Sequence, residues 1–139
     1  MNRAKEYGIK CINNRKINTG DTVMFDIDDT LIKVKNGEPI YEIISLLHTC
    51  QMLGYKIVII TARPDSLDNR RYTDIQLMNI GIIPNILIFT SPINKVNVKL
   101  ELGLTFILSV GDQTTDLSGS QYFIKLPDNS DKNVYTNIK

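Results

Sequence analysis

Apolar positions along the chain gather into short runs separated by polar, amphipathic stretches. Residues 22–27, TVMFDI, form a short apolar run rich in strand formers. Residues 40–53, IYEIISLLHTCQML, are long enough for a helix, with apolar residues near helical spacing and Gly54 as a stop. YKIVIIT (55–61) is a β-branched apolar run, and DNRRYTDIQLMNI (68–80) is an amphipathic segment followed by Gly81. NILIFT (85–90) predicts another strand, KVNVKLEL (95–102) a weaker helix ending at Gly103, and LTFILSV (104–110) a further strand. QYFIKL (121–126) reads as a last edge strand. Strands alternating with helices imply right-handed βαβ units and a mainly parallel sheet. Near-continuous apolar strands fit a sheet covered on both faces. The expected fold is α/β, a three-layer Rossmann-like arrangement.

The length of 139 residues suits one domain. Its organisation reads as an N-terminal extension over 1–20, a core over 21–127 and a polar, loosely held tail over 128–139. With 42% hydrophobic and 22% charged residues the composition is that of an ordinary globular protein. The formal net charge of +1 provides no general field for nucleic acid or an anionic membrane. Cys11 and Cys50 form no CxxC pair and read as free thiols. The N-terminal stretch has no apolar leader core, and no run reaches about 18 apolar residues. A cytoplasmic location is therefore expected.

The chemistry gathers at VMFDIDDTL (23–31), where a buried-looking strand runs into Asp26, Asp28 and Asp29. Two carboxylates 4 Å apart repel by roughly 4 kcal/mol at an effective dielectric near 20. In open parallel sheets, ligands sit beyond the carboxyl ends of the strands. Asp26 and Asp28 lie at such an end, Thr61 ends the next strand, and GDQTTD (111–116) follows the strand over 104–110. Asp26, Asp28, Asp112 and Asp116 are thus expected to converge. Such hard oxygen donors suit Mg²⁺, which would offset their repulsion.

These elements resemble the ordered motifs of the haloacid dehalogenase superfamily: a DxDxT motif at Asp26–Thr30, TARP at 61–64, a downstream lysine, and GDQTTD. Within it the chain looks most like the acid-phosphatase branch that includes plant vegetative storage proteins and bacterial class B enzymes. ARPDSLDNRRYTDIQLMNIGI, GDQTTDLSG and KLP (125–127) have that branch's form. Lys99 stands where the branch usually has Arg, and Asn94 and Thr114 stand where it often has aromatics. About 33 residues separate Asp28 from Thr61, so little or no cap is expected, and 33–39 would be a small flap. The resemblance implies a Mg²⁺-dependent phosphomonoester hydrolase. Asp26 would be the nucleophile, and Asp28 the general acid and base, its backbone carbonyl also a metal ligand. Thr61, the Ala62 backbone N–H, Arg63 and Lys95 would hold the phosphoryl group, with Lys99 the other candidate lysine. Asp112 and Asp116 would complete the metal site. Asp29 reads as a turn residue, Thr30 as the cap of that turn, and His48 as structural.

The expected substrate is a phosphorylated small molecule or an exposed phosphate on a macromolecule. A polynucleotide 3′-phosphatase, a catalytically weak binding or storage protein on the same scaffold, and a receiver-type signalling module are the other readings. In a receiver the accepting Asp ends a middle strand, whereas here that strand ends in Thr61. A second subunit could complete so minimal a site, as a homodimer.

Overall fold

The computed structural model describes residues 2–139. Its elements are α1 (Asn2–Ile12), β1 (Asp21–Phe25), α2 (Tyr41–Leu53), β2 (Lys56–Thr61), α3 (Leu67–Asn79), β3 (Ile86–Phe89), α4 (Lys95–Leu102), β4 (Thr105–Gly111), a 3₁₀ turn (Thr114–Asp116), β5 (Tyr122–Lys125) and β6 (Tyr135–Thr136). The fold is α/β, with one open six-stranded sheet in the order β3-β2-β1-β4-β5-β6. The first five strands are parallel and β6 is antiparallel to β5.

Side-chain alternation along the strands divides the core. Val23, Phe25, Ile57 and Ile59 pack toward α1 and α2, in a cluster with Ile43, Leu46 and Leu47. Met24, Val58 and Ile60 point to the other face, where they meet Val98 of α4 and Phe106. Layers on both faces explain why β1 and β2 are apolar at successive positions. Gly54 and Gly103 end α2 and α4 in the left-handed conformation that a side chain disfavours, so both stops fall where the sequence places them.

Both termini are more structured than the sequence implies. Residues 2–12 form α1, which buries Ala4, Cys11 and Ile12 against the core. Gly8 allows α1 to lie directly on Leu46, whose side chain a Cβ would strike. The tail contributes β6, so β5 is not the edge strand. Val134 and Ile138 pack on the core, and Thr136 Oγ1 donates to the Phe123 carbonyl at 2.7 Å.

The strand order positions the site. From β1 the chain steps outward to β2 and β3, then crosses back through α4 to place β4 on the other side of β1. Such a reversal leaves a crevice between the carboxyl ends of two neighbouring strands, here β1 and β4. No helix among the described residues is long and apolar enough to cross a membrane.

Candidate active site

β1 ends against β4 with Phe25 paired to Val110, and the Asp26 N–H donates to the Val110 carbonyl at 3.1 Å. Asp26 therefore emerges beside Gly111, and Asp112 follows one residue later. The 3₁₀ turn folds Asp116 back over Gly111. A Cβ at Gly111 would overlap the Asp116 carboxylate, so glycine is needed there for space. As a result Asp26, Asp112 and Asp116 each present a carboxylate oxygen within 4.8 Å of the others, and all three are buried.

Lys95, the first residue of α4, reaches the cluster from the helix that packs on Met24 and Val58. Its Nζ donates to Asp26 Oδ1 at 3.1 Å and to Asp116 Oδ1 at 2.5 Å. The second Asp116 oxygen accepts the Gln113 N–H at 3.1 Å. Burial opposes charge on Lys95, but Asp26 and Asp116 outweigh it and hold its pKa above the ordinary lysine value. Burial pushes Asp26 well above the usual carboxylate range, and Asp116 adds to this while Lys95 opposes it. Burial also raises the Asp112 carboxyl above its ordinary value. Three carboxylates and one ammonium carry a formal charge of −2, which a divalent cation would balance.

Lys99 lies one helical turn further and serves a different purpose. Its Nζ donates to Ser109 Oγ at 2.8 Å, the Asp116 carbonyl at 2.7 Å and the Ser118 carbonyl at 2.6 Å. Three close acceptors match the three N–H bonds of an ammonium. Burial pulls its pKa down to about 8, although Asp116 raises it. Lys99 is the internal tie for the loop that carries Asp116, and Lys95 is the lysine that reaches the acids.

The expected convergence of four side chains is met by three, because the Asp28 carboxylate turns elsewhere. After β1 the chain makes a tight turn in which Leu31 and Ile32 N–H groups both donate to the Ile27 carbonyl, at 2.8 and 3.1 Å. Asp29 takes a positive φ of 57° and accepts the Val34 N–H at 3.0 Å, a turn role as expected. Asp28 lies outside the trio, partly exposed and in a two-pronged pair with Arg63. Thr30 is fully buried and its hydroxyl has no partner, so it caps nothing. Thr61 is buried at the end of β2, where its hydroxyl accepts the Arg63 N–H at 3.2 Å and keeps its own proton to donate. Ala62 is exposed beside it. His48 bonds the Gly81 carbonyl at 2.9 Å, a structural role.

Two cavities open near the carboxyl ends of the strands, one of them beside the cluster. A cavity of about 190 Å³ lies beside Asp112, walled by Asp29, Gln113, Asp128, Asn129 and Ser130. A second, of about 270 Å³, is lined by Ala62, Arg63, Pro64, Asp65, Phe89, Thr90 and Ser91. The flap at 33–39 is largely exposed, and leaves the site uncapped. Gly111 and Gln113 lie in the GDQTTD motif and Thr73, which anchors Arg63, lies in the stretch after TARP, but the sequence assigns none of the three a role. No protein-family model matches this chain, and no curated protein matches it either.

Proposed function

We propose that this protein is a Mg²⁺-dependent phosphomonoester hydrolase of the haloacid dehalogenase type. The observation that carries the reading is the buried trio of Asp26, Asp112 and Asp116 with Lys95 bonded to two of its members. A cation of two charges matches the cluster's formal deficit, and three carboxylates with room for water and phosphate suit Mg²⁺. When bound, the ion would supply charge neutralisation for the carboxylates and polarise a phosphoryl oxygen.

The chain's own residues account for the rest. Asp26 attacks phosphorus with a carboxylate oxygen, and the ester oxygen leaves with the bonding pair and a proton from Asp28. Lys95 holds Asp26 in position and offsets charge on the equatorial oxygens. The Thr61 hydroxyl and the Ala62 N–H, at the end of β2, bind the phosphoryl group. Water then attacks the aspartyl-phosphate, losing a proton to Asp28, and inorganic phosphate is released. In its uncapped state the site would admit a phosphate on a larger molecule as well as a small ester.

Purified protein is expected to hydrolyse 4-nitrophenyl phosphate with Mg²⁺, to fall to background with EDTA, and to recover on adding excess Mg²⁺. Nucleoside monophosphates, sugar phosphates and a 3′-phosphorylated oligonucleotide, run alongside, identify the leaving group. Silence across the whole panel with Mg²⁺ present would discard the hydrolase reading in favour of a binding protein. Gly111→Ala supplies a second check, because its methyl group must push Asp116 out of the trio. Divalent-ion affinity by titration calorimetry is expected to drop roughly 10–100-fold. An unchanged affinity would remove Asp116 from the metal site.

A further inference from the structure

Arg63 stands apart from the buried trio, yet all three of its guanidinium nitrogens are held by hydrogen bonds. Nε and Nη2 donate to Asp28 Oδ2 and Oδ1 at 3.1 and 2.8 Å. Nη1 donates to Thr73 Oγ1 at 3.0 Å. Thr73 is fully buried on α3, so it gives the guanidinium a fixed anchor. The Tyr72 ring centre lies 5.9 Å from the guanidinium carbon and limits motion on that side. The backbone N–H of Arg63 is held by Thr61. Three of the five guanidinium N–H groups are engaged in this way.

The Asp28 side chain is 38% exposed, so the ion pair contributes little to stability. What two parallel bonds supply is orientation. They hold both Asp28 oxygens as acceptors, while the remaining lone pairs face solvent. This arrangement suits the second half of the reaction better than the first, because the water that attacks the phosphorylated enzyme arrives from solvent.

We propose that Arg63, anchored by Thr73, is the positioning residue that aims Asp28 at the hydrolytic water. The proposal rests on the hydrolase reading. In that step Asp28 accepts a proton from water as the water oxygen bonds to phosphorus. The bond between phosphorus and the Asp26 oxygen breaks, its electron pair returns to Asp26, and the proton passes from Asp28 to solvent. Misplacing Asp28 slows this half-reaction and spares the first when the leaving group needs no proton.

The test uses full-length wild type, Arg63→Gln, Arg63→Lys and Thr73→Val with 4-nitrophenyl phosphate and Mg²⁺. Arg63→Gln is expected to lower kcat about 10²-fold, the cost of a small misplacement of a catalytic group. Thr73→Val, which leaves the surface unchanged and carries the test should Arg63→Gln fail to fold, is expected to lower it about 10-fold, at the low end of what a proton-transfer group contributes. In both, kcat/KM stays within about 3-fold of wild type, because KM falls with kcat. A burst of nitrophenol appears, and acid-quenched protein retains covalent phosphate. Arg63→Lys keeps the charge without the fork and remains slow. If kcat/KM falls with kcat and KM rises, Arg63 merely binds substrate phosphate and the proposal is wrong. Unchanged kcat in Thr73→Val, or full activity in Arg63→Lys, also overturns it. A wild-type protein silent on every ester removes the hydrolase reading, and this inference with it.

Discussion

Asp26→Asn is expected to abolish ester hydrolysis and, in the absence of metal, to make the protein more stable. The two effects share one cause. Asp26 is 7% exposed and lies in a trio with two other buried carboxylates. Its pKa is raised well above the ordinary value, first by burial and then by Asp116, with Lys95 opposing. An acid whose folded-state pKa lies above its unfolded one binds more protons when folded. Its contribution to stability is therefore present at low pH and lost as pH rises through the folded value. At neutral pH the metal-free wild type carries that penalty in full or in part, and an amide carries none. The amide introduced by this substitution can still accept the Lys95 Nζ bond through its carbonyl. Relief of about 1 kcal/mol corresponds to a Tm gain of about 3 °C at this size. Loss of the proposed nucleophile is expected to cost about 10⁴-fold or more in kcat, since other parts of a catalytic unit do not substitute for it. Thermal melts from mildly acidic to neutral pH, with and without Mg²⁺, check the first half. The wild-type Tm should fall with rising pH only without metal, and the variant should be flatter. A variant that is less stable than wild type in EDTA, or that still turns over, would remove Asp26 from the role assigned to it.

Much of this arrangement is legible in the sequence, and the illegible parts have identifiable causes. The strands at 22–27, 55–61 and 104–110 stand out because both faces of their central residues are buried, so apolar residues follow one another with few polar interruptions. The predicted helix over 95–102 matches α4, because Gly103 marks its end. α1 is hidden because Arg3, Lys5, Glu6 and Lys10 intersperse its short buried stripe of Ala4, Gly8, Cys11 and Ile12. β6 has only two residues and is held by Thr136 and Asn137 side chains as much as by its ladder. The meeting of Asp26 and Asp112 follows from strand order, once each acid is placed at a strand's carboxyl end, and Asp116 joins them through the 3₁₀ turn that folds it over Gly111. The orientation of Asp28 does not, because it depends on Arg63, 35 residues away in another loop. Nor can sequence choose between Lys95 and Lys99, which are four apart and share a helix face. A rise of about 6 Å along α4 separates them. That rise takes one to the acids and the other to Ser109 and the loop carbonyls.

Lys95→Met is expected to act on stability in the opposite direction from Asp26→Asn, while also eliminating turnover. Lys95 is 2% exposed and is the ammonium that bonds both Asp26 and Asp116. Methionine fills a similar volume, so little packing is lost. What remains is an acidic trio buried without its cation. Breaking a buried ion pair from one side typically costs about 3–5 kcal/mol, because an uncompensated charge is left behind. Part of that cost is avoided as the carboxyl groups take up protons, so the destabilisation is expected to be greatest at neutral pH and to shrink on acidification. Mg²⁺ should restore stability by mass action, since it binds only the folded cluster. It should not restore activity, because the positive group beside the proposed nucleophile is gone. A loss of about 10³-fold in kcat/KM, roughly 4 kcal/mol of transition-state stabilisation, is expected at saturating metal. Urea unfolding at two pH values, with and without Mg²⁺, separates the two effects. If Lys95→Met unfolds at the wild-type midpoint in EDTA, the ammonium is not what holds the three carboxylates together, and the charge balance assigned to this site is wrong.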